Sequence, residues 1–397
     1  MRLTVYIAIS LIAVFINTAH AQDSLKAQDS ASAHPSHFRF GGYVKDLQLA
    51  EFTNNANSLV TGGIIHNRLN FKYFINSQFT FTAEERNLLY FGELVKYTPG
   101  LNKSADSETG YFNLTKTLIN QQTMILHLQF DRLNLNWHTD QWDVTIGRQR
   151  INWGIAIAWN PNDLFNAYNL LNFDYEERPG NDAVRVQHYF GNFSSLEIAA
   201  KPGLQANQDI VAGLYKFNYK GYDLQFLGGL YNKDIAIGTG WAGNIKNAGF
   251  KGEISWFQPR LGFQDSIKAS MEVSLSADYS FVNGLYINAS ALYNDHGSES
   301  AFNLAALKET TLSADNLLPF RYSFLMQAQK PFTPIFTANF GVLYAPGINA
   351  FVFLPTLTYN MATNWDLDLI GQSFFATINN KFQTAGNAIY LRLRWSF

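Results

Sequence analysis

The chain has 397 residues, of which 15% are charged and 15% are aromatic, with a formal net charge of −2 at pH 7. Soluble domains usually carry about 25% charged residues, and a helical membrane protein would show several apolar runs of about 18 residues or more. Neither class fits, because only the N-terminus has a long apolar run and mean hydropathy is −0.12. The near-neutral charge gives no reason to expect nucleic acid, and the lack of cysteine excludes disulfides. Low charge with many aromatic residues is typical of a transmembrane β-barrel, in which half of each strand faces water.

The N-terminal residues predict export from the cytoplasm. A positively charged start is followed by the mainly apolar run Leu3–Ile16 and by a small-residue cleavage site that ends at Ala21. This pattern is typical of a secretory signal peptide, here residues 1–21. Residues 22–37 are polar and repetitive, so we expect a flexible periplasmic leader. The barrel is then expected over residues 38–397.

Apolar and polar residues alternate in many stretches after the leader. A period of two places the two sets on opposite faces of an extended chain, so each stretch predicts a strand with one apolar and one polar face. The phase slips at Asp131-Arg132, and a β-bulge there would keep the faces unchanged. The alternating stretches are Phe38–Tyr43, Arg68–Tyr73, Met124–Trp137, Trp142–Ile146, Val184–Phe190, Tyr215–Lys220, Met271–Ser280 and Trp365–Leu369.

Turn residues such as Lys220-Gly221 and Asn283-Gly284 separate these stretches at short intervals. At roughly 20 residues for a strand and its connection, the chain predicts about 16 strands, within a range of about 14 to 18 and even in number. Three longer stretches, Thr98–Gly110, Asp295–Asn316 and Ile237–Gly249, predict outward loops. The expected fold class is therefore all-β, a transmembrane antiparallel β-barrel.

One stretch, residues 147–185, departs from the alternation. Its glycines and Pro161 predict that the backbone leaves strand geometry, and charged residues are concentrated in it. An irregular backbone cannot lie against lipid with its polar groups unsatisfied, so we expect this segment to fold into the lumen. Its carboxylates and arginines would form either a constriction that filters solutes or internal salt bridges that brace the wall. The constriction candidates are Arg148, Arg150, Trp153, Asp163, Asp174, Glu176, Glu177, Arg178, Asp182 and Arg185.

The last strand has the clearest alternation in the chain. From Ile389 to Phe397 every second residue is apolar, whereas Arg392 and Arg394 lie between them. The apolar face would contact lipid and the arginines would face a wet lumen. This ending resembles the terminal recognition strand of bacterial outer-membrane barrels. The resemblance implies that Trp395 and Phe397 form a signal read by the barrel-assembly machinery.

The irregular stretch also resembles a family. A Gly-Arg-Gln strand, a Trp-Gly pair and an Asn-Pro-x-Asp motif occur together in porin-like outer-membrane barrels of the DUF1302 type. The matching residues here are Gly147, Arg148, Gln149, Trp153, Gly154, Asn160, Pro161 and Asp163. The resemblance covers about a tenth of the chain and implies a porin-like barrel without naming a substrate. The acidic and basic block Asp174–Asp182 is not part of that pattern.

These features predict a channel for passive diffusion of small solutes in the outer membrane of a Gram-negative bacterium. Three alternatives stay open: an outer-membrane enzyme, such as a lipid hydrolase; a ligand-specific channel for fatty, aromatic or oligosaccharide compounds; and a closed structural or adhesive barrel. No Gly-x-Ser-x-Gly motif marks a nucleophile and the histidines lack metal-ligand spacing, so we predict no enzyme, no catalytic residue, no metal and no cofactor. The expected partners are outer-membrane lipid, the barrel-assembly machinery and small solutes. A homo-oligomer and a monomer both stay open.

Overall fold

The computed structural model describes residues 37–53, 59–98, 100–101, 110–167, 174, 177–260, 268–299, 312–378 and 380–397. The predicted signal peptide and all but the last residue of the predicted leader lie outside these residues. Over the described ranges, no helix has the length and apolar character needed to cross a membrane.

The described residues form nineteen strands, one short helix α1 (Glu93–Tyr97) and a 3-10 turn at Pro346–Ile348. The strands are β1 (Phe38–Phe52), β2 (Val60–Phe74), β3 (Phe79–Gly92), β4 (Thr115–Gln121), β5 (Met124–His138), β6 (Trp142–Gln149), β7 (Asn181–Tyr189), β8 (Ser194–Lys201), β9 (Ile210–Tyr219), β10 (Tyr222–Tyr231), β11 (Asp234–Ile245), β12 (Ala248–Pro259), β13 (Ser270–Ser280), β14 (Tyr286–Asn294), β15 (Tyr322–Thr333), β16 (Phe336–Ala345), β17 (Ala350–Ala362), β18 (Trp365–Ile378) and β19 (Lys381–Ser396).

Eighteen of these strands close into an antiparallel barrel, because β1 pairs with β2 on one side and with β19 on the other. The remaining strand, β4, pairs with the first half of β5, while β6 pairs with the second half of the same edge. The expectation of about 16 strands was therefore too low, although the even number is confirmed. Several connections are only two residues long, as at Lys220-Gly221, and this leaves enough chain for two more strands.

The two ends of the barrel differ in their connections. The end that holds the start of β1 and the end of β19, here called the turn end, has short turns. At one of them, Lys220 and Gly221 both have positive φ, as a type I′ hairpin turn requires. The opposite end, here called the loop end, carries the long connections β3–β5, β6–β7 and β14–β15. Short turns at one end and long loops at the other are typical of outer-membrane barrels.

The predicted faces of the last strand are confirmed. Ile389 and Leu391 are about half exposed on the outside of the barrel, and Arg392 points inward to Asp368, with 2.9 Å between Nε and Oδ2. Phe397 closes the seam, because its backbone N–H and C=O exchange hydrogen bonds of 2.9 Å with Gly42 of β1. The terminal residue is thus part of the ladder that joins the first and last strands.

A β-bulge absorbs the phase slip that the sequence shows in β5, so the faces of the strand do not flip. The pairing between β3 and β5 shifts by one residue at Asp131, which is the extra residue. Its side chain is fully buried and forms an ion pair with Arg68. The inward face passes from Gln129 and Asp131 to Arg132 and Asn134 without a change of side, as the slip in the sequence predicts.

Apolar packing lies inside the barrel as well as on its surface. Trp153, Leu164 and Phe165 of the β6–β7 connection pack with inward residues of β9, β10 and β12. A second cluster joins Trp159 to Leu317 and to residues of β14–β17. The described part of the stretch that predicted an outward loop, Asp295–Asn316, contributes to this interior: Ala314 is fully buried, and its N–H donates to the Tyr231 hydroxyl at 3.1 Å. The described end of that stretch, residues 312–316, therefore turns inward. Most of the other predicted loop, Thr98–Gly110, lies outside the described residues, and the prediction of a loop at Ile237–Gly249 was wrong, because these residues belong to β11, β12 and their two-residue turn.

Candidate functional site

The β6–β7 connection, residues 150–180 and here called the inward segment, enters the barrel interior from the loop end. The chain leaves the wall after Gln149 and rejoins it at Asn181, and these two residues are directly paired across β6 and β7. The described residues between them contain no strand and no helix. Side-chain anchors on the wall therefore have to satisfy much of the segment's backbone, since an unsatisfied buried N–H is costly.

Glu253 on β12 is the main anchor of the first half of the segment. Its carboxylate is fully buried and accepts three backbone N–H groups: Ile155 at 2.5 Å, Ala156 at 2.7 Å and Asn162 at 2.9 Å. The Asn162 side chain adds hydrogen bonds to the Thr239 carbonyl and the Ser255 hydroxyl. One wall carboxylate thus holds both limbs of a backbone turn against β11 and β12.

Trp153 fixes the start of the same half. Its ring is fully buried against Phe165, and its indole N–H donates to Glu197 Oε1 on β8 at 2.7 Å. Its backbone N–H donates to Asp163 at 3.2 Å, and its carbonyl accepts from Gln225 of β10 at 2.8 Å. Because all its polar groups are bonded and its ring is enclosed, Trp153 holds the segment in place and presents no surface to the lumen.

The point where the segment leaves the wall is braced by a buried ion pair. Arg148 on β6 and Asp182 on β7 are paired in register, with Nε–Oδ1 and Nη2–Oδ2 distances of 2.9 and 2.7 Å. The same two side chains bond to the backbone of Phe112 at 2.7 and 2.8 Å. A side chain at Gly110 would clash with the Arg148 guanidinium, so glycine allows this close approach.

The second half of the segment is held by the opposite wall. Asp174 accepts from His66 Nδ1 of β2 at 2.9 Å and lies 3.5 Å from Lys45 Nζ of β1 and 3.6 Å from Arg392 Nη1 of β19. Burial alone would raise the pKa of Asp174, but the His66 hydrogen bond and the two positive charges outweigh burial and hold that pKa below its usual value. Glu177 accepts from the Tyr43 hydroxyl at 2.9 Å.

Beneath Glu177 the wall carries its own charge network. Arg68 of β2 pairs with Asp131 of the bulge and with Glu84 of β3, the latter at 2.5 Å, and its Nε lies 3.8 Å from Glu177. Arg86 adds a second cation, 3.6 Å from Asp131. Because the acids and bases alternate in space, the network is nearly neutral.

Asp163 and Arg178 connect the two halves of the segment. Arg178 Nη1 donates to Asp163 Oδ2 at 2.7 Å and also lies 3.4 Å from the Asn152 side chain. Burial raises the pKa of Asp163 to about 6, although Arg178 and the Trp153 N–H pull it in the opposite direction. Asp163 can therefore change charge near neutral pH while Arg178 stays positive.

The predicted candidates thus divide into two groups. Arg148, Trp153, Asp163 and Asp182 are buried, whereas Arg150 is exposed and Asp174, Glu177, Arg178 and Arg185 keep part of their surface. Glu176 lies outside the described residues. Arg185 pairs with Asp143 at 2.7 Å on the wall strands themselves, apart from the segment. Arg150 makes a 3.3 Å contact with the nearby Asn152 and carries the most accessible charge among the described candidates.

Two anchors, Glu197 and Glu253, were missed by the sequence interpretation. Each is a carboxylate at an inward position of a wall strand, and each strand carries one more inward charge, Lys201 on β8 and Lys251 on β12. The alternation of each strand places its carboxylate on the inward face, and that placement is the signal that could have identified them. Among the described residues, no three His, Asp or Glu side chains converge closely enough to hold a metal ion.

Open water-accessible space lies at both ends of the barrel interior. A cavity of about 560 Å³ at the turn end is lined by polar wall residues that include Arg39, Lys72 and Asp143. A second cavity of about 540 Å³ lies between the inward segment and the wall, next to Phe165 and Lys201. The polar linings and the inward-facing charges are those of a wet interior.

No protein-family model matches this sequence, and no curated protein matches it. Among solved structures, the barrel is similar to OccK8 (OprE) of Pseudomonas aeruginosa, at 12% identity over 91% of this chain and 98% of that chain with a TM-score of 0.56. It is similar to OccAB4 of Acinetobacter baumannii, at 10% identity over 91% and 99% with a TM-score of 0.56. It is also similar to the outer membrane protein opdK of Pseudomonas aeruginosa, at 9% identity over 90% and 98% with a TM-score of 0.56.

At these identities the likeness concerns the fold, which is that of outer-membrane porins. A closed barrel with an apolar outer face and a polar interior is stable only where hydrocarbon surrounds it. The chain is accordingly a transmembrane β-barrel of the bacterial outer membrane. The resemblance of its irregular stretch to DUF1302-type barrels stays a prediction.

Proposed function

We propose that this protein is a channel for passive diffusion of small water-soluble solutes, and that the inward segment narrows its lumen. The observation that carries the proposal is the segment itself, which is held across the interior. Glu253 binds it on one wall, and Lys45 and His66 bind its Asp174 on the other. A barrel of about 16 to 18 strands leaves an aqueous interior that wall side chains alone do not fill. A segment anchored on both sides divides that interior and sets its width.

The charges at the segment favour a filter based mainly on size. Most acids and bases described there are paired, as in Asp163–Arg178 and Asp174–Lys45, and paired charges present little net field. Arg150 is the exception, because it is exposed and its guanidinium donates to the neutral side-chain amide of Asn152. We therefore expect weak ion selectivity with a slight preference for anions that depends on Arg150.

Liposome swelling tests this proposal. Vesicles that contain the refolded chain should swell in isotonic solutions of small uncharged sugars and should not swell in larger ones. Absence of swelling, together with release of fatty acid from the vesicle lipid, would favour a lipid hydrolase instead. Absence of both would favour a closed structural barrel.

The role of Arg150 is tested by reversal potentials in a salt gradient. Arg150→Gln should reduce the anion preference, so the reversal potential should move towards that of a non-selective pore. Lys330→Gln is the matched control, since Lys330 lies on the outward side of β15 and bonds to the Asn283 carbonyl near the turn end. Equal potentials for the wild type and Arg150→Gln would remove Arg150 from the constriction.

A further inference from the structure

The outward face of the barrel is polar in one place. On β1, the inward residues Lys45 and Leu47 are buried, so Asp46 and Gln48 point outward, and both are exposed. By the same alternation, Asn67 points outward on β2 between the inward His66 and Arg68. The outward side of the barrel here carries polar side-chain groups, and lipid hydrocarbon chains cannot form hydrogen bonds with them.

The pattern continues on β3 and β4. Glu84 and Arg86 face the interior charge network, so Glu85 and Asn87 point outward. Thr117 of β4 contacts the inward His127, and Lys116 next to it is exposed on the outward side, beside Leu128 of β5. We define the polar face as the outward residues Asp46, Gln48, Asn67, Glu85, Asn87 and Lys116.

Three residues of the polar face lie well inside the membrane-spanning part of the wall. β1 runs from Phe38 to Phe52, and Asp46 lies near its centre; Asn67 and Glu85 lie near the centres of β2 and β3. On the other strands that the structure describes, outward side chains at mid-strand are predominantly apolar, and five that are well exposed show this: Ile237, Phe324, Met326, Leu369 and Leu391. The polar face is thus a local departure from a general rule for lipid-facing positions.

Contacts within the face satisfy only some of its groups. Gln48 Nε2 donates to Asp46 at 2.6 Å, and Asn87 Nδ2 donates to Asn67 at 3.2 Å. Glu85 and Lys116 make no hydrogen bond or ion pair with a described residue. Lipid tails offer neither donors nor acceptors, so the remaining groups require a polar partner at the same depth.

We propose that the polar face is the surface on which a second copy of this chain docks. Copies inserted in the same direction are related by an axis along the membrane normal. Such an axis places the β1 side of one copy against the β4 side of the next. Asp46 lies on the β1 side and Lys116 lies on the β4 side, so a second copy brings this carboxylate and this ammonium group together, whereas Glu85 lies on the middle strand β3 between them. The carboxamides supply donors and acceptors between them.

Cysteine cross-linking tests the contact directly, because the chain has no cysteine of its own. The variant Asp46→Cys/Lys116→Cys, treated in isolated outer membranes with a short bifunctional maleimide, should give species of two or more linked chains. Ile237→Cys/Met326→Cys is the matched control, since these outward positions are also four strands apart, on β11 and β15. Equal linkage of the control, no linkage of the test pair, or linkage to a different protein would overturn the proposal.

A second measurement does not depend on cysteine geometry. Asp46→Leu/Glu85→Leu/Lys116→Leu makes the face apolar, which a lipid-exposed barrel tolerates, and folding can be verified by heat-dependent mobility on gels. The mass of the wild-type particle in nanodiscs should be a multiple of one chain, and the triple variant should fall to the mass of one chain. A wild-type particle of a single chain, or a triple variant that stays multimeric, would refute the docking face. Liposome swelling per barrel should be unchanged, so this proposal and the proposed channel function can fail separately.

Discussion

Replacement of Glu253 by glutamine is expected to loosen the inward segment. The carboxylate accepts three buried backbone N–H groups, two of them from Ile155 and Ala156. Glutamine has the same size, but one of its terminal groups is an NH2 donor that cannot accept from an N–H. At least one hydrogen bond is therefore lost and the charge that strengthens the others is removed. Hydrogen bonds to charged groups contribute about 1.5–3 kcal/mol each, so we expect the free energy of opening the segment to fall by about 2 kcal/mol or more.

Hydrogen exchange measured by mass spectrometry on the detergent-solubilised full chain detects this change. A loss of about 2 kcal/mol corresponds to roughly thirtyfold faster exchange of peptides that cover residues 151–166. Glu272→Gln is the matched control, because Glu272 is equally buried on the neighbouring strand β13 and its carboxylate oxygens bond to no described residue. Unchanged exchange in Glu253→Gln, or the same acceleration in both variants, would refute the anchoring role of Glu253.

Three further outcomes follow from the same contacts. Burial raises the pKa of Asp163 to about 6, so this carboxyl becomes neutral as the pH falls through that value. Arg178 then loses its counter-charge, and the anion preference, measured as the reversal potential, should rise on acidification. Asp182→Asn leaves the buried Arg148 guanidinium without a carboxylate, and the unfolding free energy in urea should fall by about 3–5 kcal/mol. Deletion of Phe397 removes the last pairing across the β1–β19 seam, so the amount of folded barrel in the outer membrane should fall.

Each outcome has its own control. Asp163→Asn has no titrating group at this position and should show at every pH the anion preference that the wild type shows at low pH. A pH-dependent reversal potential in this variant would contradict the role of Asp163. Asp143→Asn breaks a partly exposed pair with Arg185 and should cost at most about 1 kcal/mol; an equal loss in both variants would contradict the buried-pair argument. Phe397→Tyr keeps an aromatic end and should assemble normally.

The period-two alternation predicted the fold class because it is a local property that each strand carries by itself. The faces of the last strand are confirmed for the same reason, and the phase slip at Asp131-Arg132 marks the place where the structure has a bulge. The number of strands was underestimated, since the length of a connection depends on how tightly neighbouring strands can turn. Two-residue turns such as Thr363-Asn364 leave little mark on the sequence.

The inward segment was predicted from its glycines, its proline and its charges, but its anchors were not. Glu253 is 91 residues from Asn162, and Lys45 is 129 residues from Asp174. Such partners meet only after the barrel has closed, so no local pattern indicates them. The polar face could have been noticed from β1, where Lys45, Asp46 and Gln48 place polar groups on both sides of one strand.

Single-channel recording in planar lipid bilayers tests most directly whether water fills the barrel around the inward segment. The purified, refolded wild-type chain should give discrete and reproducible conductance steps at low voltage. Glu253→Gln should give larger or more fluctuating steps, because the released segment no longer fixes the width of the lumen. A folded wild-type barrel that inserts into the bilayer and conducts no ions would contradict the account.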